Sequence, residues 1–560
     1  MQSAAQWVAA AKDLARAGKD AEAGALFEQG LERFPADARF ANSAGNFHAR
    51  ARRDLRALAL FERALALQPD LPEAATNAAI VLLRLGRPRA AGAVLAPLEG
   101  RNGGGAAFWV LRAEAAKGIG DHAGAAHYLH RAAAAEPGHA GAVRARARLS
   151  LERGENRAVA EYEDALAREP GDFALMEGYM LALHMAGRTS EALEFGHALA
   201  AHFPSWIEGQ SALAELRWAA GDAGAYTAHL AAAAAAHPAP EVYLEWAALL
   251  AGTDRHGEAA EVLARARALW TRERRLTLAL AVALGEAGEA AAADAILAEG
   301  DIGTPSPEWS LARARNDLRL GRVDAAAAAL ETLASADPGA VAAWSLLDLC
   351  WRLTGDARHG WLHGQPGLVR ELAVPLDADR FEAIADTLEK LHHAAAMPLA
   401  QSVKGGTQTR GALFARVEPE LAELKHALVA ALEDYRAGLP PRDERHPLLG
   451  HRDAEWHIAE SWSVRFSQSG RHAAHVHPRG LLSSACYIVV PPEVDDAAGP
   501  GWLELGTPPE GLAPGLGALH EIKPRVGHCA LFPSTLFHGT RAIATGQRMT
   551  VAFDVTTLPG

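Results

Sequence analysis

The chain has 560 residues, more than one hydrophobic core ordinarily serves, so two or more domains are expected. At 49% hydrophobic and 22% charged it has an ordinary globular composition, and its formal charge of -13 argues against a nucleic-acid or acidic-membrane partner held by bulk electrostatics. The opening MQSAAQWVAAAKDLARAGKD is broken by charge where a signal peptide would be apolar, and no apolar run is long enough to span a bilayer. Three cysteines, Cys350, Cys486 and Cys529, are too scattered for a zinc knuckle and odd in number, which fits a reducing compartment. The expectation is a cytoplasmic protein without a membrane span.

The N-terminal part is periodic. Pro35, Pro69, Pro137, Pro170, Pro204 and Pro238 fall at 33- or 34-residue intervals, with one interval doubled. Twelve residues before each of the first five stands an alanine (Ala23, Ala57, Ala125, Ala158, Ala192), and Ala91 fills the gap. Four residues after the alanine comes a large residue in most units: Phe27, Phe61, Leu95, Leu129, Tyr162. Glycines such as Gly18, Gly86, Gly120, Gly154 and Gly187 precede the second helix. A small residue lets two helices cross closely, a large one fills the space beside it, and proline ends a helix because it lacks the N–H donor and clashes with the preceding turn. This pattern resembles the tetratricopeptide repeat. It fades after Pro238, where Tyr226 stands in place of the alanine, and returns at Ala259–Ala260 and at Ala326 with Pro338. Nine or ten units over residues 1–357 are expected, forming a superhelix whose concave face captures a protein or peptide, the alternative being a spacer or dimerisation scaffold.

Residues 358–455 break the period, with loop signals at Pro366, Pro375 and Gly405-Gly406-Thr407-Gln408-Thr409. Helices are expected over 378–394 and 417–437, the second with a stripe of Leu421, Leu424, Leu428, Leu432 and Tyr435, both supporting a β domain. Residues 456–560 read as short strands, at 461–466, 482–490, 502–505, 529–532 and 548–555, separated by Gly, Pro, Ser and Asp. An antiparallel jelly roll closes so many strands without helices.

The chemistry concentrates here. His475 and His477, at i and i+2, point to one side of an extended segment, as two ligands on one metal must. His538 follows Leu531-Phe532-Pro533-Ser534-Thr535-Leu536-Phe537, and Arg548 lies ten residues on, with Thr550 on the same strand face. A metal that activates dioxygen needs three protein ligands with open positions beside them. An acid co-substrate needs a fixed cation, and arginine holds a carboxylate through two parallel hydrogen bonds.

The phrase SWSVRF…HAAHVHPRGLLSSACYIVVPP…GWLELGTP…KPRVGHCALFPSTLFHGTRAI…RMTVAFDV resembles the 2-oxoglutarate- and iron(II)-dependent oxygenases related to prolyl hydroxylases, over roughly residues 400–560. Bacterial members of that group often carry N-terminal tetratricopeptide repeats. The resemblance implies a double-stranded β-helix fold, Fe(II) and 2-oxoglutarate as cofactors, and hydroxylation coupled to oxidative decarboxylation of 2-oxoglutarate. It assigns His475 and His538 to the metal. His477 falls where the wider superfamily has an aspartate, so three histidines hold the ion with one negative charge fewer, or two do so with water. Arg548 would bind the far carboxylate of 2-oxoglutarate, with Thr550 assisting and Tyr487 in reach.

The expected architecture is therefore multidomain: an all-α tetratricopeptide-type superhelix, then an all-β double-stranded β-helix with supporting helices. The expected activity is hydroxylation of a protein or peptide side chain captured by the repeats. A small-molecule hydroxylase and a non-catalytic scaffold with a degenerate oxygenase domain are the alternatives. His457, His472, His520 and His528 read as surface or core residues, Cys486 and Cys529 as small core residues, and Glu504 as a solvated strand residue. Ser483 and Ser484 are either turn residues or substrate contacts.

Overall fold

A computed structural model describes residues 3–100, 105–299, 306–393, 399 and 402–558. The chain divides into two compact units, residues 1–153 with 160–171 and 558–560, and residues 154–159 with 172–557. From Ala4–Arg16 to Arg358–His363 it is a run of paired helices. The helices Asp20–Arg33, Asp54–Leu67, His122–Ala135, Ala158–Arg168, Thr189–His202 and Ala228–Ala236 each stop two residues short of a periodic proline. The reason is local, since a residue before proline is pushed out of the helical region. Ala23, Ala57, Ala91, Ala125 and Ala192 are buried, and so are Phe27, Phe61, Leu95, Leu129 and Tyr162.

The inner turn of every pair closes through a left-handed residue. These recur every 33 or 34 residues from Gly18 (φ 74°) to Gly355 (φ 70°), and mark eleven helix pairs among the described residues rather than nine or ten. The pairs persist where the alanine mark fails. Tyr226 is buried in the alanine's place, its hydroxyl donating to Leu249 O at 3.0 Å, and its helix begins only at Ala228. Among the described residues no helix is long and apolar enough to cross a membrane.

The strands are β1 Arg370–Ala373, β2 Val403–Gln408, β3 Trp456–His472, β4 Leu482–Val489, β5 Leu503–Leu505, β6 His520–Ile522, β7 His528–Pro533, β8 His538–Thr540 and β9 Gln547–Thr557. They form a six-stranded sheet in the order β1-β7-β4-β9-β3-β2 and a three-stranded sheet β6-β5-β8, with every pairing antiparallel. Alternation sorts each strand into two faces. On β9, Met549, Val551, Phe553 and Val555 join the core beneath helices Ala378–His393 and Pro419–Ala437. On β7, Ala530 and Phe532 point the other way and pack against Leu503 and Leu505 of the smaller sheet. This is the curled, two-sheet arrangement of a jelly roll.

Two features depart from expectation. The passage before residue 456 supplies edge strands as well as helices, and Gly405-Gly406-Thr407-Gln408 lies within β2 rather than in a loop. Gly405 has a left-handed φ of 68° at a register shift. A Cβ on Gly406 would meet the Phe466 ring at 2.6 Å and the Arg465 carbonyl at 2.7 Å. Glycine here permits a bulged, closely approached edge strand.

Candidate functional site

The backbone brings two of the three singled-out histidines face to face. His475 follows β3 and forms an isolated bridge with His538, the first residue of β8, with N–H to O distances of 3.0 and 2.9 Å in the two directions. Their ring centroids lie 4.2 Å apart, and the His477 ring is 5.0 Å from each. One ring nitrogen from each of the three falls within 4.8 Å of the other two.

The tautomers follow from the partners. His475 Nδ1 lies 2.8 Å from the Ala473 carbonyl, and His538 Nδ1 lies 3.1 Å from the Leu536 carbonyl. A carbonyl only accepts, so each Nδ1 carries the hydrogen and each Nε2 keeps its lone pair. His477 Nδ1 is engaged in the same sense by Asp554 Oδ2, at 2.5 Å. The Nε2 atoms of His475 and His477 stand 3.0 Å apart, and two imidazole nitrogens bound side by side on one metal sit about 3 Å apart. Burial, reinforced by the neighbouring His477, holds His475 down to about 3. Burial also holds His538 well below the ordinary histidine value. Both rings are therefore neutral near pH 7, the state in which imidazole donates to a metal.

Surrounding packing fixes these rings. Trp462 stacks on His477 at 5.3 Å, and Phe532 meets His538 edge-on at 4.9 Å. The loop leading to His538 is tied down by Thr535, whose Oγ1 lies 2.9 Å from His363 Nε2. His363 Nδ1 in turn lies 3.0 Å from the buried Asp348. Burial would raise the Asp348 pKa, but His363, Arg352 and His359 outweigh it and bring the carboxyl below its ordinary range.

Arg548, Thr550, Ala552 and Asp554 occupy the inner face of β9, and with the three histidines, Gln408 and Ser402 three of these, Arg548, Thr550 and Ala552, line one cavity. Arg548 is 1% exposed, and among the described residues its Nε and Nη1 have no hydrogen-bond partner. Burial lowers its pKa, partly offset by Tyr487. Tyr487 sits opposite Thr550 in the register, its hydroxyl buried and unpaired among the described residues, and its ring centroid is 5.5 Å from the guanidinium carbon. A buried guanidinium with open donors, beside a hydroxyl and three convergent nitrogens, fits a carboxylate whose other end reaches a metal.

Sequence reasoning passed over several neighbours. His472, read as surface or core, stacks 5.7 Å from His475 in the cavity wall and lies 3.0 Å from Ser402 Oγ. Asp554 follows Phe553 in a strand that reads as core. Its place two residues beyond Ala552, in step with Arg548 and Thr550, was the signal available. Ser483 is a buried support, its Oγ 2.8 Å from Ser534 Oγ and donating to Asp554 Oδ1 at 3.2 Å. Ser484 Oγ donates to the Phe553 carbonyl at 2.8 Å. Glu504 pairs with Arg541 at 2.8 Å, while Cys486 and Cys529 face each other across β4 and β7 in the core.

Residues 460–554 match the family described as "Putative 2OG-Fe(II) oxygenase". The match runs from β3 into β9 and holds the three histidines, Tyr487, Arg548, Thr550 and Asp554. No curated protein matches the chain. Among solved structures, the chain is similar to PilW, a widely conserved type IV pilus biogenesis factor (22% identity, 38% of this chain and 99% of that one, TM-score 0.36). It is similar to YrrB, a TPR protein with an unusual peptide-binding site (16% identity, 33% and 95%, TM-score 0.29). It is also similar to MamA of Desulfovibrio magneticus RS-1 (17% identity, 31% and 98%, TM-score 0.29). At such low TM-scores these likenesses decide nothing further. The chain thus carries a run of paired helices followed by a segment that matches the oxygenase family.

Proposed function

We propose that this protein is a 2-oxoglutarate- and iron(II)-dependent oxygenase that hydroxylates a side chain of a protein or peptide held by its repeats. One observation carries the reading: three imidazoles with Nδ1 committed to the protein converge beside a buried, unpaired guanidinium, within the segment that matches the oxygenase family. His475, His477 and His538 would hold iron(II), leaving positions for co-substrate and oxygen. Arg548 would hold the far carboxylate of 2-oxoglutarate, with Thr550 and the Tyr487 hydroxyl beside it. When bound, iron and 2-oxoglutarate supply oxidative decarboxylation coupled to hydroxylation of a C–H bond. The chain orients and encloses. The backbone carbonyls of Ala473 and Leu536 fix the His475 and His538 rings, Trp462 stacks on His477, Phe532 meets His538 edge-on, and the buried walls would exclude water. We take residues 456–560 as the oxygenase core, 358–455 as its supporting segment and 1–357 as the capturing repeats.

The test is succinate release from 2-oxoglutarate by protein loaded anaerobically with iron(II) and then exposed to air. Slow iron-dependent succinate from the native chain, lost in His538→Ala, is expected. No succinate together with no stoichiometric iron would leave the repeat scaffold with a degenerate oxygenase domain as the better reading.

A further inference from the structure

We propose that Asp554 is a positioning residue for the metal site, its carboxylate holding His477 from behind and returning to the site the charge that a histidine at 477 leaves out. This inference rests on the assignment of His475, His477 and His538 to iron(II).

The three rings are not backed alike. His475 and His538 give their Nδ1 hydrogens to the neutral carbonyls of Ala473 and Leu536. His477 gives its own to a carboxylate at 2.5 Å, the shortest of the three contacts. Asp554 is 6% exposed. Among the described residues His477 is its ion-pair partner, and neither lysine nor arginine lies within pairing distance. A buried carboxylate without a cation is costly unless its oxygens are engaged. Here Oδ2 is taken by His477 and Oδ1 by Ser483, itself held by Ser534. The carboxylate is therefore locked in place, and Trp462 stacks on the ring it holds.

The consequences follow from ligand chemistry. A carboxylate on Nδ1 fixes the tautomer that exposes Nε2, stops the ring from turning, and makes Nε2 a stronger donor. It would also set a carboxylate one hydrogen bond and one imidazole ring away from a bound dication, where the carbonyls behind the other rings offer only dipoles. A site that lacks a carboxylate among its ligands recovers part of that charge in this way. The arrangement is economical in sequence, because β9 carries Arg548 for the acid and Asp554 for the metal on one face, six residues apart.

The test is anaerobic iron(II) affinity of the full chain, read beside the ligand-field absorption of the cobalt(II)-loaded protein. The variants are Asp554→Asn, Asp554→Ala, His477→Ala and the double variant His477→Ala with Asp554→Ala. We expect Asp554→Ala to weaken iron by about 10- to 100-fold and to alter the cobalt spectrum. Asp554→Asn, which keeps an acceptor, should lose less. The double variant should bind no more weakly than His477→Ala, because Asp554 acts through His477. Native affinity in Asp554→Ala, or losses that multiply in the double variant, would overturn the proposal. Should Asp554→Ala fail to fold, an Asp554→Asn protein with unchanged iron affinity and cobalt spectrum would overturn it equally. A native chain that takes up no iron(II) would overturn the underlying assignment and this inference with it.

Discussion

Arg548 is the residue on which the functional reading turns most sharply. A guanidinium with 1% exposure and two unpaired donors is hard to account for as a structural element. A hydrogen bond involving a charged group contributes about 1.5–3 kcal/mol. Replacing Arg548 with Ala should therefore weaken 2-oxoglutarate at least about tenfold, while iron(II) affinity changes little; parallel anaerobic dialysis of both ligands checks this. The opposite ordering would move Arg548 out of the acid-binding role. The singled-out histidines and this arginine were legible because residue type, order and strand spacing agreed. Asp554, His472 and Ser402 were not. Their roles depend on which segments the fold brings together, and Asp554 and His475 are separated by most of the domain in sequence.

At the scale of elements, the repeat was legible because its marks are steric. A periodic proline stops a helix, and a buried alanine or glycine admits a neighbouring helix. At Gly45, for example, an added Cβ would stand 2.5 Å from the Phe61 ring. The marks faded where another residue stands in the alanine's place, as Tyr226 does, while the left-handed inner turn persisted. In two pairs that turn is not glycine: Arg52 has φ 56° and Asp254 φ 61°. A left-handed conformation costs a non-glycine residue about 1–2 kcal/mol. Arg52→Gly should then stabilise the chain by about 1 kcal/mol, after the entropy that glycine adds to the unfolded state. A raised denaturant midpoint without a change in slope is the expected result, and a lowered midpoint would contradict it. The strands that escaped notice are β1, β2, β6 and β8, each three to six residues long. Such segments are too short for alternation to register, and β2 carries two glycines besides.

Across the whole molecule, many histidines are stored neutral. Burial lowers the pKa of His48, His184 and His229 and pulls His446 down to about 4. His446 is positioned for neutrality, since its Nε2 donates to the Leu362 carbonyl at 2.9 Å and its Nδ1 accepts from Leu448 and Leu449 N–H. Its pKa is lower folded than unfolded, so the unfolded chain takes up the proton first as pH falls. The stability it contributes is complete above about pH 6.5 and is lost progressively toward pH 4, with a slope of up to about 1.4 kcal/mol per pH unit. The denaturation midpoint of the metal-free protein should fall between pH 7 and pH 5, and His446→Gln should show a shallower fall. Equal slopes for the two proteins would contradict the assignment.

An iron site for 2-oxoglutarate formed by three histidines and one arginine meets its most direct test in anaerobic absorption spectroscopy. Stoichiometric iron(II) is added to the native chain, and then 2-oxoglutarate. Chelation of the keto acid by histidine-bound iron predicts a new visible charge-transfer band, absent without iron and absent from His475→Ala. A native protein that binds iron and 2-oxoglutarate with no such band, or that forms it equally well in His475→Ala, would contradict the account.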